Sequence, residues 1–240
     1  MNDVKDNTEN IDISKCVEPE ETYKGSIFLR IAGTAILIII LLLLLLYGLM
    51  ALADQSGQFT VSLGDDMEKL LSLSETADFK NPTTNLASDG HYRMTNTSGM
   101  DIGDEVDLGE GLHNGKNYFA YSFYLKNAGT GTFNYVENLA LSKITKNIDN
   151  ALRVRIYRDG VPVTYAKIGA NGLPEFGTEA FPDAKTAVNN TITNFAQGQV
   201  IKYTIVIWVE GDDPECLDDI KGGNVKLSMT FSSESEDGTE

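Results

Sequence analysis

The chain has 240 residues, with 35 acidic and 19 basic side chains and a formal net charge of −16. This balance argues against nucleic-acid binding, which needs a basic surface. It argues equally against docking on anionic lipids or polymers unless divalent cations bridge the two. Two cysteines are too few for a disulfide framework, and this favours a bacterial surface protein over a small eukaryotic secreted domain.

An uncharged apolar run near the N-terminus is the clearest predicted element. Residues 31–53 form 23 consecutive positions without a charge, including six leucines at 41–46. As a helix this run is roughly 35 Å long, enough to cross a hydrocarbon core of about 30 Å. We therefore predict a transmembrane helix over residues 27–53, preceded by an acidic tail at residues 1–26.

The basic residues that flank the run predict its orientation. Lys15, Lys24 and Arg30 precede it closely, whereas only Lys69 lies in the matching window after it. Because positive residues stay on the cytoplasmic side, the N-terminus is expected inside the cell and the C-terminal part outside.

The end of the apolar run is compatible with cleavage by signal peptidase and with an uncleaved membrane anchor. Ala51 and Ala53, followed by Asp54, match the small-x-small pattern that signal peptidases cleave. An apolar run of this length after a long acidic lead is instead typical of an uncleaved signal anchor. The sequence thus predicts either a single-pass membrane protein or a protein released after Ala53.

Alternation of apolar and polar residues predicts that the outer domain, residues 54–232, is mainly β-structure. The alternating runs lie at 58–63, 118–125, 132–141, 152–157, 161–165, 200–210 and 225–231. Residues 200–210 are apolar on both faces, which predicts a central strand. Residues 64–116 are expected to form loops with one or two short strands, 187–195 a helical turn or irregular crossing, and 233–240 a disordered acidic tail. The pattern predicts an all-β, antiparallel two-sheet sandwich of about seven to nine strands, with a jelly roll as one arrangement.

One acidic loop near the C-terminus holds the candidate metal ligands. These are Asp212, Asp213, Asp218 and Asp219. Calcium prefers carboxylate oxygens, although the spacing here differs from an EF-hand loop. A local alternative needs no ion, because an aspartate before Pro214 caps a short helix that ends at Gly222.

The remaining reactive residue types have simpler readings. Cys216 is interpreted as a buried or an exposed free thiol, and Cys16 is predicted on the other side of the membrane, so the two cannot pair. His91 and His113 lie in polar, glycine-rich surroundings and are expected at the surface, outside any zinc motif. The aromatic run at 118–124 predicts sandwich core or, if its tyrosines face outward, a sugar-binding platform.

Three stretches carry a resemblance: YFAYSFYLKNAG at 118–129, ALRVRIYRDG at 151–160 and YTIVIWVEGDDPECLDDIKGG at 203–223. They resemble uncharacterised single-pass surface proteins of Gram-positive bacteria, and the chain is distantly similar to the TasA/camelysin family of biofilm-matrix proteins. The resemblance implies a jelly roll and fibre assembly by donor-strand exchange, in which one subunit's first strand completes the next subunit's sheet. The implied donor strand is Gln58, Phe59, Thr60, Val61, Ser62 and Leu63.

These observations predict a membrane-anchored bacterial cell-surface protein with a structural or adhesive ectodomain and no catalytic activity. The expected partners are the membrane, a second copy through strand exchange, or other surface and matrix proteins. One alternative is a secreted, TasA-like matrix-fibre subunit released after Ala53. Another is a calcium-dependent carbohydrate-binding module. The metalloprotease activity described for camelysin-like members is not expected, since no metal-ligand motif accompanies the resemblance, and no cofactor besides calcium is expected.

Overall fold

The computed structural model of the protein describes residues 21–54, 59–88 and 92–234. The chain divides into two units, Met1–Asp54 and Gln55–Glu240. Within the first unit, helix α1 spans Glu21–Asp54 and contains the predicted span. Its segment Leu29–Tyr47, 19 residues long, is long and apolar enough to cross a membrane as an anchor or a signal peptide. Of the acidic tail predicted at residues 1–26, residues 21–26 belong to α1 and residues 1–20 lie outside the described residues. His91 and residues 235–240 of the predicted C-terminal tail also lie outside them.

The second unit is mostly β-structure. Twelve strands follow in chain order: β1 Phe59–Leu63, β2 Leu71–Ser74, β3 Asn85–Ala87, β4 Gly111–Leu112, β5 Phe119–Asn127, β6 Phe133–Ser142, β7 Leu152–Arg158, β8 Val161–Ala166, β9 Glu179–Ala180, β10 Thr186–Phe195, β11 Val200–Val209 and β12 Lys226–Ser232. Short 3₁₀ turns occur between them, among them Gly99–Asp101, Asp104–Leu108 and Asp218–Ile220.

The strands form two sheets. Sheet A has the order β10-β6-β12-β1-β3, and sheet B has the order β2-β5-β11-β7-β8-β9 with β4 beside β5. Both sheets are mixed, because β1 pairs parallel with β12 and β9 pairs parallel with β8. The expectation of wholly antiparallel sheets therefore does not hold at these two places. Alternation within a strand reports which side chains are buried and carries no information on the direction of its neighbour.

Strand β11 is central in sheet B, as its two apolar faces indicate, and it pairs with β5 on one side and β7 on the other. The prediction for residues 187–195 was wrong, since they belong to β10, one of the two edge strands of sheet A. Irregular register between Thr186 and Val188 and between Ile192 and Phe195 breaks the alternation there. β-Bulges of this kind shift side chains from one face to the other and hide the period of two.

The two sheets share one apolar core. Phe123 of sheet B stacks on Tyr203, with ring centroids 5.3 Å apart, and meets the edge of Phe231 of sheet A at 6.0 Å. Tyr135 also contacts Phe231, at 5.8 Å. Aromatic pairs at these separations contribute beyond the apolar area they bury.

A buried polar network crosses the same core. Glu137 on β6 has no exposed surface and is paired with Arg158 on β7. Its carboxylate also accepts hydrogen bonds from the Tyr203 hydroxyl at 2.9 Å and from the Asn190 amide at 3.1 Å. Burial, and then the neighbouring Glu137 carboxylate, raise the pKa of Tyr203 well above its ordinary value. The network links both sheets with all its charged groups satisfied, as buried charges require.

Candidate functional site

Strand β1, the proposed donor strand, occupies an interior position in sheet A of its own chain. Phe59, Val61 and Leu63 are buried in the shared core, while Thr60 and Ser62 point outward. The strand pairs with β12 along five residues and with β3 along three. The alternation in the sequence predicted this pattern of burial correctly, while Gln58 lies outside the described residues.

A clasp on the outer side of sheet B joins two loops to Arg153, which projects from β7. The Arg153 guanidinium lies 2.5 Å from the Asp213 carboxylate and 3.5 Å from that of Glu175. The side chain of Asp213 is fully buried and that of Arg153 is 5% exposed. Since Asp213 belongs to the loop after β11 and Glu175 to the loop after β8, this pairing holds both loops against the sheet.

The clasp contains the cluster of carboxylates that best resembles a metal site among the described residues. One ligand atom each from Glu175, Asp213 and Glu215 lies within 4.8 Å of the others. Burial, followed by the Asp213 carboxylate, raises the pKa of Glu175 above its ordinary value, against the opposing effect of Arg153. A guanidinium already supplies positive charge at this cluster, and Glu215 accepts a hydrogen bond from the Ala170 amide at 2.8 Å.

The four aspartates expected to bind calcium are not brought together in this cluster. Only Asp213 belongs to it, whereas Asp212, Asp218 and Asp219 are exposed. Asp218 is paired instead with Lys221 at 2.7 Å. The expected helix at Pro214 is replaced by turns: Asp213 accepts a hydrogen bond from the Glu215 amide at 2.7 Å, and a single 3₁₀ turn follows at Asp218–Ile220.

Beside the clasp lies an open groove with a volume of about 700 Å³. Arg155 lines the groove, with its guanidinium 5.0 Å from the centre of the Trp208 ring and its Nε donating to the Thr164 hydroxyl at 3.2 Å. The lining residues are Gly99, Met100, Ile102, Asp104, Arg155, Pro162, Val163, Thr164, Gly177, Thr178 and Glu179. Met100 is 90% exposed, and Phe176, next to the lining, is fully exposed.

The lining of the groove is mixed in its chemistry. The Arg155 guanidinium is held by protein oxygens, including the Ile102 and Gly99 carbonyls at 3.4 Å, and so it has a fixed position. The lining combines this fixed cation with an exposed methionine and backbone atoms of glycines. The lining also includes the acidic residues Asp104 and Glu179, so cationic, acidic, polar and apolar groups all border the groove.

Residues 92–113 lie over sheet B and are called the strap. His113 is half-buried and holds the strap in place. Its ring nitrogens lie 2.8 Å from the Gly111 carbonyl and 2.9 Å from the Val106 carbonyl. Cys216 is also half-buried, and its sulfur accepts a hydrogen bond from the Asn96 amide at 3.5 Å. Both residues therefore have structural contacts within the second unit.

The aromatic run before and within β5 belongs mainly to the core. Phe119, Tyr121 and Phe123 are at most 3% exposed. Tyr124 is half-buried and donates a hydrogen bond to Glu110 at 3.1 Å. An exposed row of tyrosines for stacking on sugars is thus not formed by β5.

Comparisons with known proteins do not show a family for this chain. No protein-family model and no curated protein matches it. Two solved structures are similar in part: a crystal structure of β-glucosidase from Kluyveromyces marxianus, with 10% identity over 70% of this chain and a TM-score of 0.29, and the same enzyme in complex with glucose, with 10% identity over 67% and a TM-score of 0.23. The chain spans 17% and 15% of those chains. Likeness this slight carries no conclusion on fold or activity.

Proposed function

We propose that this chain is a membrane-anchored cell-surface protein whose outer domain is structural or adhesive and has no catalytic activity. The acidic N-terminal tail lies in the cytoplasm and residues 54–232 lie outside. The observation that carries the proposal is the position of β1: only four residues separate its start from the end of α1, and it is an interior strand of sheet A.

That position suits a protein that bears tension at its membrane attachment. Force applied where the chain enters β1 acts on a strand that pairs on both sides and places Phe59, Val61 and Leu63 in the core. Because β1 and β12 are parallel, pulling the start of β1 against the end of β12 loads several hydrogen bonds together. Resistance of this kind is governed by the unfolding rate under load.

Intact mass and N-terminal sequencing of the protein from membrane and medium fractions test the anchor. We expect the wild-type chain in the membrane fraction with Met1 or Asn2 at its N-terminus. Ala53→Leu, which removes a small residue that signal peptidases need, serves as the matched control and should leave this result unchanged. A released chain that begins at Asp54 in the wild type, and not in the variant, contradicts the proposal.

The two cysteines allow a separate test of orientation, since one lies before α1 and one in the second unit. A membrane-impermeant maleimide added to intact cells should label the Cys16→Ser variant, through Cys216, and not the Cys216→Ser variant. Because Cys216 is half-buried, the same labelling is repeated after mild denaturation. Labelling of Cys16 alone from outside reverses the proposed orientation.

The secreted-fibre alternative is favoured by one observation: β1 is a short strand between β12 and β3. If cleavage after Ala53 frees this strand, the place it leaves is a groove that the same strand of another copy fits, with a jelly-roll arrangement completed by exchange. Deletion of residues 54–63 separates the cases. Loss of polymers with a folded domain supports exchange, whereas loss of folding makes β1 an ordinary core strand.

A calcium-dependent carbohydrate-binding role has the Glu175, Asp213 and Glu215 cluster in its favour. Arg153 competes with an ion there, because its guanidinium already neutralises the buried Asp213 carboxylate. Calorimetric titration with calcium gives heat and a higher melting temperature if the cluster binds the ion. Retention on a glycan array that a chelator abolishes is required in addition for sugar binding.

A further inference from the structure

The outer face of sheet A is nearly free of charge in a strongly acidic protein. Its five strands contain two charged residues, the buried Glu137 and Lys226 at the start of β12. Apart from Lys226, the outward positions are small and polar or aliphatic: Thr60, Ser62, Asn85, Ala87, Asn134, Val136, Asn138, Ala140, Ser142, Asn189, Thr191, Thr193, Ser228, Thr230 and Ser232. By contrast, residues 54–240 as a whole hold 28 acidic and 15 basic side chains.

Many polar groups on this face already bond to each other across the strands. The Thr60 hydroxyl donates to Ser228 at 3.1 Å, and the hydroxyls of Ser62 and Thr230 lie 3.4 Å apart. At the other side of the face, the Asn138 amide donates to Asn189 at 3.4 Å. Polar groups with partners cost less to remove from water than unpaired ones, and so this face can be covered at low cost.

The two ends of the face carry opposite charges. Exposed Lys143 and Lys185 follow β6 and precede β10 at the end where β12 begins with Lys226. Asp183 is the acidic residue next to this group, and its carboxylate accepts a hydrogen bond from the Lys185 amide at 2.7 Å. At the opposite end lie three exposed carboxylates, Asp65, Asp66 and Glu234, with Glu234 bonded to Asn134 at 3.3 Å.

We propose that this face binds the same face of a second copy, with the strands of the two copies antiparallel. A two-fold axis in the plane of the contact and perpendicular to the strands places the lysine end of each copy on the carboxylate end of the other. The contact is then isologous and its charges are complementary at both ends. Elsewhere two acidic copies repel each other, so the uncharged face is where they approach closely.

This pairing rests on the proposed membrane anchor, and it makes a second copy of the chain the partner of the anchored protein. The chain enters β1 at the lysine end of the face, because Phe59 pairs with Leu227 beside Lys226. In the antiparallel pair the two chain starts therefore lie at opposite ends of the contact. That arrangement matches copies anchored in two opposed membranes, which is homophilic adhesion between cells.

One pair of faces is a small contact. Five strands about 4.8 Å apart and about 20 Å long give a face of roughly 400 Å² per copy, below the roughly 800 Å² of a standard stable interface. A single pair is therefore weak. Many copies in two facing membranes bind together with much higher effective affinity.

Vesicle clustering tests the proposal with the intact chain. Full-length protein is reconstituted into two populations of phosphatidylcholine vesicles with different fluorophores, and clustering is followed by fluorescence cross-correlation. We expect clustering that falls with rising salt, because ionic strength screens the charges at the two ends. Protein-free vesicles and vesicles of one loaded and one empty population give the background.

Charge-swapped variants identify the surface. Lys185→Glu with Lys226→Glu makes both ends of the face acidic, and Asp65→Lys with Glu234→Lys makes both ends basic. Each variant alone should cluster roughly tenfold less than the wild type, and the two mixed should cluster again. Lys80→Glu with Lys116→Glu, two exposed positions outside sheet A, is the matched control and should cluster like the wild type.

Two results overturn the pairing: wild-type vesicles that do not cluster, or swapped variants that cluster as well as the wild type. Capture of non-clustering vesicles by a neutral polysaccharide matrix would identify a different partner. These results are independent of the proposed anchor, because the reconstituted chain is intact. Release of a chain that starts at Asp54 from cells refutes the anchor instead, and the pairing of the faces is still measured by the vesicles.

Discussion

The outer faces of the two sheets differ in composition and in covering. On sheet B, outward-facing Val206 and Trp208 of β11 are buried beneath Ile102 and Val106 of the strap, so a second small apolar cluster forms there. On sheet A, no described segment forms such a cluster over the outward threonines, serines and asparagines. The difference shows that the outward side chains determine whether a sheet face is buried. Large apolar side chains are buried beneath a loop, whereas small polar side chains remain exposed to water.

The largest expected effect sharpens this comparison by truncating one outward residue on each sheet. Trp208→Ala removes the main side chain beneath the strap, which is 1% exposed, and should lower the free energy of unfolding by about 3–5 kcal/mol. Thr230→Ala, on the uncovered face, should change it by less than about 0.5 kcal/mol. Denaturant unfolding of the full-length protein in detergent is followed by circular dichroism. Tryptophan fluorescence is unsuitable because Trp208 is the one tryptophan and the Trp208→Ala variant lacks it. Equal losses would show that sheet A has a cover as well.

The clasp gives the next largest effect. Arg153→Leu leaves the fully buried Asp213 carboxylate without its cation and should cost about 3 kcal/mol in the free energy of unfolding. The double variant Arg153→Leu with Asp213→Leu should recover much of that loss, since no unpaired charge remains buried. Lys80→Ala breaks the exposed pair with Asp78, 2.7 Å apart, and is the control, with an expected change below about 0.5 kcal/mol. If the double variant is as unstable as the single variant, the loss of stability comes from altered packing and not from an unpaired Asp213 charge.

The sequence predicted the helix, the β-rich outer domain and the central position of β11, because each depends on a local apolar pattern. It also predicted the burial of Phe59, Val61 and Leu63 in β1. The direction in which strands pair could not be predicted from the sequence. The parallel pairing of β1 with β12 joins residues about 168 positions apart, as the Thr60–Ser228 hydrogen bond illustrates. The bulges of β10 concealed a whole strand.

The candidate site was predictable only in part, for a related reason. Asp213 was recognised as a candidate ligand, but its partners Arg153 and Glu175 lie in β7 and in the loop after β8. One signal was present: Arg153 and Arg155 alternate with apolar residues in a strand beside the central one, where an outward charge needs a partner. The identity of that partner depends on how the loops cross the sheet, and no local pattern specifies this.

A smaller effect tests how closely the strap approaches sheet B. A Cβ atom on Gly99 would lie 2.7 Å from Cζ2 of Trp208, too near for an ordinary contact. Gly99→Ala should therefore cost about 1–3 kcal/mol in the free energy of unfolding and shift the emission of Trp208. Gly131→Ala is the matched control, because nothing lies within 4 Å of its added Cβ atom. An unchanged Trp208 spectrum in Gly99→Ala would mean that the strap does not pack closely on the Trp208 ring.

The smallest effect contrasts one carboxyl group from each region, because their pKa values shift in opposite directions. Burial raises the pKa of Glu175 over sheet B, so its contribution to stability is full below its ordinary pKa and is lost as pH rises through the raised value. Hydrogen bonds from Ser233 lower the pKa of Asp66 at the end of sheet A, so its contribution is present above its ordinary pKa and is lost as pH falls through the lowered value. Relative to the wild type, Glu175→Gln should therefore gain stability as pH rises above about 4.3, and Asp66→Asn should gain stability as pH falls below about 3.9. Melting temperatures of both variants and the wild type between about pH 3 and 7 measure the two slopes. If the stability difference from the wild type changes with pH in the same direction in both variants, the proposed contrast is wrong. The contrast is that Glu175 is partly buried over sheet B, whereas Asp66 at the end of sheet A is exposed to water.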